Sequence, residues 1–157
     1  MEENIIIRPY LPTDKATLLE LLTLLVPTYF AKEEIADLND YLDNEIELYF
    51  VAEQQGKVVA AAGINFEKEN GIGKLSWDFV HPDDHSRGLG KMLLEYRIDL
   101  LKKMSQIQEI TVRTSQLAYR FYEKHGFEVL AIQKDYWAPG FDMYKMRYAD
   151  VFSISGK

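Results

Sequence analysis

The 157-residue sequence contains no cysteine, which excludes a disulfide framework, and it has no excess of basic residues. Its 18 lysines and arginines are outnumbered by 25 aspartates and glutamates, giving a formal net charge of −7. This balance argues against a broad nucleic-acid footprint and permits a cationic substrate.

The acidic start, Met1 to Asn4, does not resemble a signal peptide. The apolar run TLLELLTLLVPTYF contains Glu20 and stops at Pro27, too short to span a bilayer. We therefore expect a soluble, cytoplasmic protein with no membrane partner.

Hydrophobic residues make up 47% of the chain and aromatic residues 13%, which is enough for a sizeable core. No linker, internal repeat or low-complexity segment interrupts the sequence. These features predict a single domain over residues 1–157.

The spacing of apolar residues and turn signals predicts the order β-α-α-β-β-β-α-β-α-β-β. Thr13 or Asp14 is a candidate N-cap of the first helix. Turns are expected at Gln55-Gly56 and at Asn70-Gly71, and the second dipeptide favours a hairpin with positive φ at both central residues. One face of the third helix is predicted to carry Leu89, Leu93, Tyr96, Leu100 and Met104. Ser115 and Gly126 are expected to begin and end the fourth helix.

The segment HSRGLGKMLL, residues 85–94, places Gly88 and Gly90 where a predicted strand and loop lead into the third helix. A helix start presents unpaired N–H groups to an anion, and glycine lets a ligand approach the backbone. Arg87 and Lys91 could add charge-assisted contacts to a diphosphate. The alternative is a tight turn without a ligand. Leu93 occupies the position of the third glycine of a dinucleotide fingerprint, and no Gly-Lys-Ser/Thr follows, so neither that fingerprint nor a P-loop is present.

Two segments, DFVHPDDHSRGLGKMLLEYRIDLL and AYRFYEKHGF, resemble the GCN5-related N-acetyltransferase (GNAT) family. In the first segment, His85 stands where the family usually has Gln or Arg, and the matching positions are Val80, Pro82, Arg87, Gly88, Leu89 and Gly90. The second segment matches the family pattern at Ala118, Tyr122, Gly126 and Phe127.

The resemblance implies an α/β (α+β) GNAT-type fold with a mixed, mostly antiparallel twisted sheet flanked by helices. It also implies acetyl transfer from acetyl-CoA to a primary amine by direct attack in a ternary complex, without a metal. A backbone N–H near Phe79 or Val80, on a bulged fourth strand, would face the thioester oxygen. Ser115 stands where the family often has an asparagine that contacts pantetheine, although helix capping is the alternative that we favour. The implied cofactor-binding residues are Phe79, Val80, His85, Ser86, Arg87, Gly88, Leu89, Gly90, Lys91 and Ser115.

Tyr122 and Asp78 are the candidate catalytic residues. Tyr122 matches the family position of the acid that protonates the departing thiolate, although its spacing also fits a buried helical stripe. Asp78 lies in an otherwise apolar strand, where a carboxylate requires a reason. That reason is either proton abstraction from the amine, directly or through water, or a structural ion pair. No histidine or carboxylate spacing indicates a metal site.

Tyr29 and Trp137 are the candidate acceptor-binding residues, as parts of an aromatic wall with Phe30 and Tyr136. The alternative is that these rings only pack their loops. The acceptor stays open among small amines, polyamines, amino acids, antibiotics and protein amines. A non-catalytic acyl-CoA-binding sensor or interaction module is the second functional hypothesis. A homodimer could form through strand edges near the C-terminus, including FDMYKMRYADVF.

Overall fold

The computed structural model describes residues 4–149, except for the side chain of Ser86. Short 3-10 turns precede α1, join β3 to β4 and precede α3. The order of strands and helices is the predicted one. The strands are β1 (Ile5–Pro9), β2 (Leu48–Gln54), β3 (Lys57–Glu67), β4 (Ile72–Val80), β5 (Glu109–Ser115), β6 (Phe127–Ala138) and β7 (Phe141–Tyr148). The helices are α1 (Lys15–Leu24), α2 (Glu34–Asn44), α3 (Leu89–Lys102) and α4 (Tyr119–Lys124).

The strands are hydrogen-bonded in the order β1-β2-β3-β4-β5-β7-β6. The pairs β1/β2, β2/β3, β5/β7 and β6/β7 are antiparallel, whereas β4 and β5 are parallel. The sheet is therefore mixed and mostly antiparallel, as predicted. The chain divides into two compact units. The first contains the described residues up to Ile64 together with Trp77–Arg97, and the second contains Asn65–Ser76 together with the described residues from Ile98 onward.

In the first unit, alternate residues of β2 and β3 enter two separate apolar clusters. Val51 and Ala61 belong to a cluster with the buried leucines of α1 and α2, whereas Ala52 and Ala62 pack with Leu89 at the start of α3. Successive side chains of a strand point to opposite faces, so the strands of this unit are covered on both sides.

In the second unit, β7 lies between β5 and β6 and is paired on both sides. The prediction that FDMYKMRY offers a free strand edge is therefore wrong, and residues 150–152 of that segment lie outside the described residues. The edge strand is β6, where Leu130 is 43% exposed and Ile132 is 57% exposed. Central strands cannot be recognised from alternation alone, because the pairing partners are set by the tertiary fold.

The turn geometry predicted for Asn70-Gly71 occurs instead at the other predicted turn, Gln55-Gly56. Gln55 and Gly56 have φ values of 54° and 77°, so the turn with two positive φ angles joins β2 to β3. Between β3 and β4 the chain forms a 3-10 turn over Lys68–Asn70, and Gly71 alone provides a positive φ of 67°. The Asn70-Gly71 hairpin is confirmed, but its predicted turn type is wrong because the 3-10 turn adds residues to the connection.

The predicted helix caps are only partly confirmed. Asp14 is the N-cap residue of α1, but its carboxylate binds Arg8 instead of capping the helix. Ser115 ends β5 and does not cap α4, whose N-cap is Ala118. Gly126 follows the C-terminus of α4 with φ 99°, which confirms the expected end of that helix. Within residues 4–149, no helix is both long enough and apolar enough to cross a membrane.

Candidate active site

The connection from β4 to α3 forms a tight turn that ends in glycine. The 3-10 turn Pro82–Arg87 leads to Gly88, which has φ 79° and ψ 14° in the left-handed region. The first hydrogen bond into α3 runs from Met92 N to Gly88 O at 3.0 Å. The N–H groups of the first helical turn, at residues 89–91, therefore precede the intrahelical ladder and give this end of α3 a partial positive charge.

The open space above Gly88 fits a ligand that approaches the backbone. A Cβ added at Gly88 would meet no atom of the protein within 4 Å, so the positive φ and not crowding requires glycine in the free chain. Arg87 and Lys91 are exposed on either side of Gly88. Such donors and charges can bind an anion, and the cofactor contacts predicted for residues 87–91 stay a prediction.

His85 turns back toward the protein. Its Nε2 lies 2.9 Å from the Val80 carbonyl oxygen, and its ring meets the ring of Tyr29 edge to face with centroids 5.1 Å apart. His81 begins the 3-10 turn, and its Nδ1 accepts a hydrogen bond from Asp83 N at 3.1 Å. The contacts of His85 support the end of β4, and its predicted cofactor contact stays a prediction. The predicted contact of the Ser86 side chain lies outside what the structure describes.

The C-terminal part of β4 departs from regular strand geometry at Trp77, whose φ is 50°. A positive φ is uncommon for a residue other than glycine and marks a special backbone position. Downstream of it, Phe79 is buried in the cluster of α1 and α2, whereas Val80 packs with Leu89 and Leu93. The backbone of Phe79 and Val80 therefore lies next to an irregular point of the strand, and the predicted bulge with its N–H facing the thioester oxygen stays a prediction.

Asp78 is bound by a buried arginine of α3. Arg97 Nη1 and Nη2 donate to the two Asp78 carboxylate oxygens at 2.7 and 2.6 Å, and the Arg97 side chain is 1% exposed. The ion-pair interpretation of Asp78 is thus realised in the structure. The role of Asp78 as the base stays a prediction.

Tyr122 and Ser115 belong to the second unit. Tyr122 is 4% exposed, and its ring packs edge to face against Phe121 and Phe127 at centroid distances of 5.1 and 5.5 Å. Ser115 Oγ accepts a hydrogen bond from Leu117 N at 3.2 Å, which stabilises the turn after β5. The catalytic role of Tyr122 and the pantetheine contact of Ser115 stay predictions.

The two predicted acceptor-binding aromatics occupy different surroundings. Tyr29 is 41% exposed in the loop between α1 and α2, where it contacts His85. Trp137 lies in the second unit, where Nε1 donates to Thr114 O at 3.2 Å and the ring packs against Tyr136. Phe30 stacks on Trp77. The acceptor-binding role of Tyr29 and Trp137 stays a prediction.

Sequence reasoning missed Arg97 and Tyr49. Arg97 follows Leu89 and Leu93 at intervals of four residues, so it continues the buried stripe of α3 as a charged residue. A charge on an apolar helix stripe, together with a carboxylate in an apolar strand, indicates a buried ion pair. Tyr49 carries no such signal, because a tyrosine in an apolar strand reads as core. Among the described side chains, none form a cluster suited to a metal ion.

Solved acetyltransferase structures share this fold. The ribosomal-protein-S18-alanine N-acetyltransferase from Escherichia coli superimposes with a TM-score of 0.73 and 23% identity, covering 92% of each chain. An aminoglycoside 6'-N-acetyltransferase complexed with coenzyme A gives a TM-score of 0.71 and 17% identity over 90% of this chain and 95% of that one. The fold therefore defines an acetyltransferase-type domain, which confirms the predicted fold class.

Sequence comparison assigns the family. Residues 45–129, more than half of the chain, match the model of the acetyltransferase (GNAT) domain, so the chain belongs to the GNAT family, as predicted. An amino-acid acetyltransferase from Pseudomonas fluorescens (strain Pf0-1) is 30% identical over 95 residues. That match covers 60% of this chain but 22% of the relative, so the chain spans about a fifth of the length of this curated protein.

Proposed function

We propose that this protein transfers the acetyl group of acetyl-CoA to a primary amine. One observation carries the proposal: in a chain of this family, a left-handed glycine with open space above it leads into the first-turn N–H groups of α3, which precede the intrahelical hydrogen bonds. Acetyl-CoA, when bound, supplies an activated acetyl thioester. The exposed side chains of Arg87 and Lys91 and the backbone of residues 88–91 hold its diphosphate.

The chemistry requires two groups of this chain in addition to the binding turn. A backbone N–H of Phe79 or Val80 stabilises the negative charge that develops on the acyl oxygen, and such donors are effective when they are fixed in advance. Tyr122 protonates the departing thiolate as a general acid. Tyr122 is buried, its ring packs against Phe127, and a phenol hydroxyl can donate its proton.

The attacking amine must lose a proton, because a lysine-like amine has a pKa near ~10.4 and is mostly protonated at neutral pH. Asp78 was one candidate base, acting directly or through water. Its bidentate contact with Arg97 favours transfer of the proton to water instead. The acceptor itself stays open, and the chain's formal net charge of −7 supports a cationic amine.

Calorimetric titration with acetyl-CoA tests the first half of the proposal, and a free-thiol release assay on the same sample tests the second. The amine panel contains amino acids, polyamines, an aminoglycoside and peptides with a free N-terminal alanine. Saturable binding with amine-dependent thiol release establishes the transferase. Binding without release by any amine supports the acyl-CoA sensor or interaction module, whereas absence of binding contradicts both.

Two further properties belong to the proposal. A homodimer forms through the edge strand β6, supported by its exposed Leu130 and Ile132. The protein is cytoplasmic and acts without nucleic-acid or membrane partners, as its composition predicts. The single-domain interpretation of residues 1–157 likewise stays a prediction.

A further inference from the structure

The irregular point of β4 at Trp77 is held by hydrogen bonds from two other elements of the first unit. Tyr49 of β2 donates its hydroxyl to the Trp77 carbonyl oxygen at 2.8 Å, and the next residue, Asp78, binds Arg97 of α3. A residue with φ 50° relaxes toward regular strand geometry unless its neighbours hold it in place. The hydrogen bonds of Tyr49 and Arg97 hold the backbone at Trp77 and Asp78 in this conformation.

Arg97 joins three parts of the first unit. Besides its two hydrogen bonds to Asp78, Nη1 donates to the Gly63 carbonyl oxygen of β3 at 3.0 Å, and Nε donates to Leu93 O of its own helix at 3.1 Å. A planar guanidinium with fixed donors can hold three acceptors in one geometry. Arg97 therefore ties Asp78 to β3 and to the first half of α3.

Gly63 completes the arrangement from the opposite strand. It is the register partner of Tyr49, and a Cβ at this position would overlap the Tyr49 ring and approach Leu48 O. The absence of a side chain lets the Tyr49 ring cross β3 and reach Trp77 O. Burial raises the pKa of Tyr49 well above its usual range, so this hydroxyl stays a neutral donor.

We infer that Tyr49, Asp78 and Arg97 form a clamp that fixes the backbone at Trp77 and thereby orients the Phe79 and Val80 N–H groups toward the acyl oxygen. The inference rests on the proposed function, and it makes Asp78 a positioning residue instead of the base. Oxyanion donors contribute only when they point to where the charge develops. A clamp that preserves this orientation affects turnover more than it affects acetyl-CoA binding.

Steady-state kinetics of Asp78→Asn, Arg97→Lys and Tyr49→Phe test the clamp. We expect kcat to fall about 10- to 100-fold in Asp78→Asn, with the KM and Kd for acetyl-CoA within about twofold of wild type. Arg97→Lys keeps the charge but loses the bidentate geometry, so it should retain more activity than Arg97→Met. The acidic limb of the kcat pH profile should stay in place in Asp78→Asn. Loss of the acidic limb in this variant would identify Asp78 as the base and overturn the inference.

Asp14→Asn is the matched control, because Asp14 also forms a bidentate pair with an arginine, Arg8, away from β4. We expect this variant to lose stability and keep wild-type kcat. If Asp78→Asn and Arg97→Lys lose stability like the control but keep kcat, the clamp is structural only and the inference is wrong.

Amide hydrogen exchange separates failure of the clamp from failure of the proposed function. Residues 77–80 should exchange at least about tenfold faster in Asp78→Asn and Arg97→Lys than in wild type, and Asp14→Asn should leave these residues unchanged. This measurement needs no acceptor amine. Unaltered exchange at these residues contradicts the clamp even if no turnover is ever found.

Discussion

At the scale of single residues, two different properties could require glycine at position 88: its backbone conformation and the space around it. Its φ of 79° disfavours residues with a Cβ, and asparagine is the side chain that tolerates this region best. The free protein itself leaves room for a side chain, because no atom lies within 4 Å of an added Cβ. A side chain at this position would therefore clash only with a ligand that is bound over Gly88.

Gly88→Asn should therefore weaken acetyl-CoA binding by at least about tenfold while the protein stays folded. Gly56→Asn is the matched control, since Gly56 has φ 77°, equally open surroundings and a place in the β2–β3 turn. Calorimetric titration of both variants measures the difference. Equal affinities in the two variants would show that the diphosphate does not lie over Gly88.

Tyr122→Phe removes one hydroxyl and keeps the ring that packs against Phe121 and Phe127. If the phenol is the general acid, kcat should fall between about 10²- and 10⁴-fold with little change in acetyl-CoA affinity. Phe121→Leu, which alters a neighbouring ring without a polar group, serves as the control. A wild-type rate in Tyr122→Phe would remove this residue from the mechanism.

Glu34 is a buried carboxylate that accepts a hydrogen bond from Ala31 N at 2.9 Å. Burial raises its pKa above the usual range, so ionisation is harder in the folded than in the unfolded chain. The contribution of Glu34 to the free energy of unfolding is fully present at pH values below the carboxyl's pKa in the unfolded chain. It is lost as the pH rises through the carboxyl's pKa in the folded chain. Glu34→Gln should thus be more stable than wild type at pH 7 and equal to it near pH 3. Urea titrations at both pH values measure this, with Glu20→Gln on the exposed face of α1 as control, and a less stable Glu34→Gln variant at pH 7 contradicts the assignment.

At the scale of elements, the connection between β1 and α1 is organised by one ion pair. Both carboxylate oxygens of Asp14 accept from Arg8 at 2.9 Å, and one also accepts from Leu11 N at 2.8 Å. Arg8 in turn donates to Glu53 of β2 at 2.7 Å. The start of α1 is therefore joined to β1 and β2 through side chains, in place of a conventional helix cap.

Asp14→Asn should lower the free energy of unfolding by about 1–3 kcal/mol at pH 7, since Arg8 loses its charged partner. The hydrogen bonds from Arg8 lower the pKa of Asp14, so the stabilisation exists above the unfolded pKa and disappears as pH falls through the folded pKa. Urea denaturation should show the two proteins converging toward low pH. Asp43→Asn, which breaks the exposed Lys15–Asp43 pair, should cost less than about 1 kcal/mol. A pH-independent difference for Asp14→Asn would contradict the linkage.

At the scale of the whole molecule, the strand order leaves β6 with one unpaired edge. Leu130 and Ile132 are exposed, and the register of β6 shifts between Val129 and Ala131 and again between Gln133 and Ala138, with φ 55° at Asp135. Bulges and charges protect an edge from pairing, so association is expected at the short regular segment between the two shifts, which contains Ile132.

If the protein dimerises through this edge, Ile132→Lys should give a monomer in multi-angle light scattering at a concentration where wild type is a dimer. Ile6→Lys is the control, because Ile6 is 55% exposed on β1, at the other edge of the strand order. A monomeric wild type, or a dimer unaffected by Ile132→Lys, contradicts the proposed interface.

The order of the strands and helices and the glycine turn before α3 could both be predicted from the amino-acid sequence. Both depend on short-range chemistry: apolar periodicity sets helix or strand, and a left-handed backbone position selects glycine. The matches of Gly88, Leu89, Gly90 and Tyr122 to the family's motifs are also local, because each motif lies within a short stretch of sequence. For this reason the family, the fold class and the candidate cofactor turn could be predicted from one chain.

The other features of the fold and the site could not be predicted, because they depend on contacts between residues that are far apart in sequence. Asp78 and Arg97 are separated by 19 residues, and Tyr49 and Trp77 by 28, so no local pattern joins them. The sequence left the role of Asp78 open, and the fold placed a buried guanidinium against it. Likewise, the place of β7 between β5 and β6 and the 3-10 turn before Gly71 follow from strand pairing. Pairing is a property of the assembled sheet and not of any single strand.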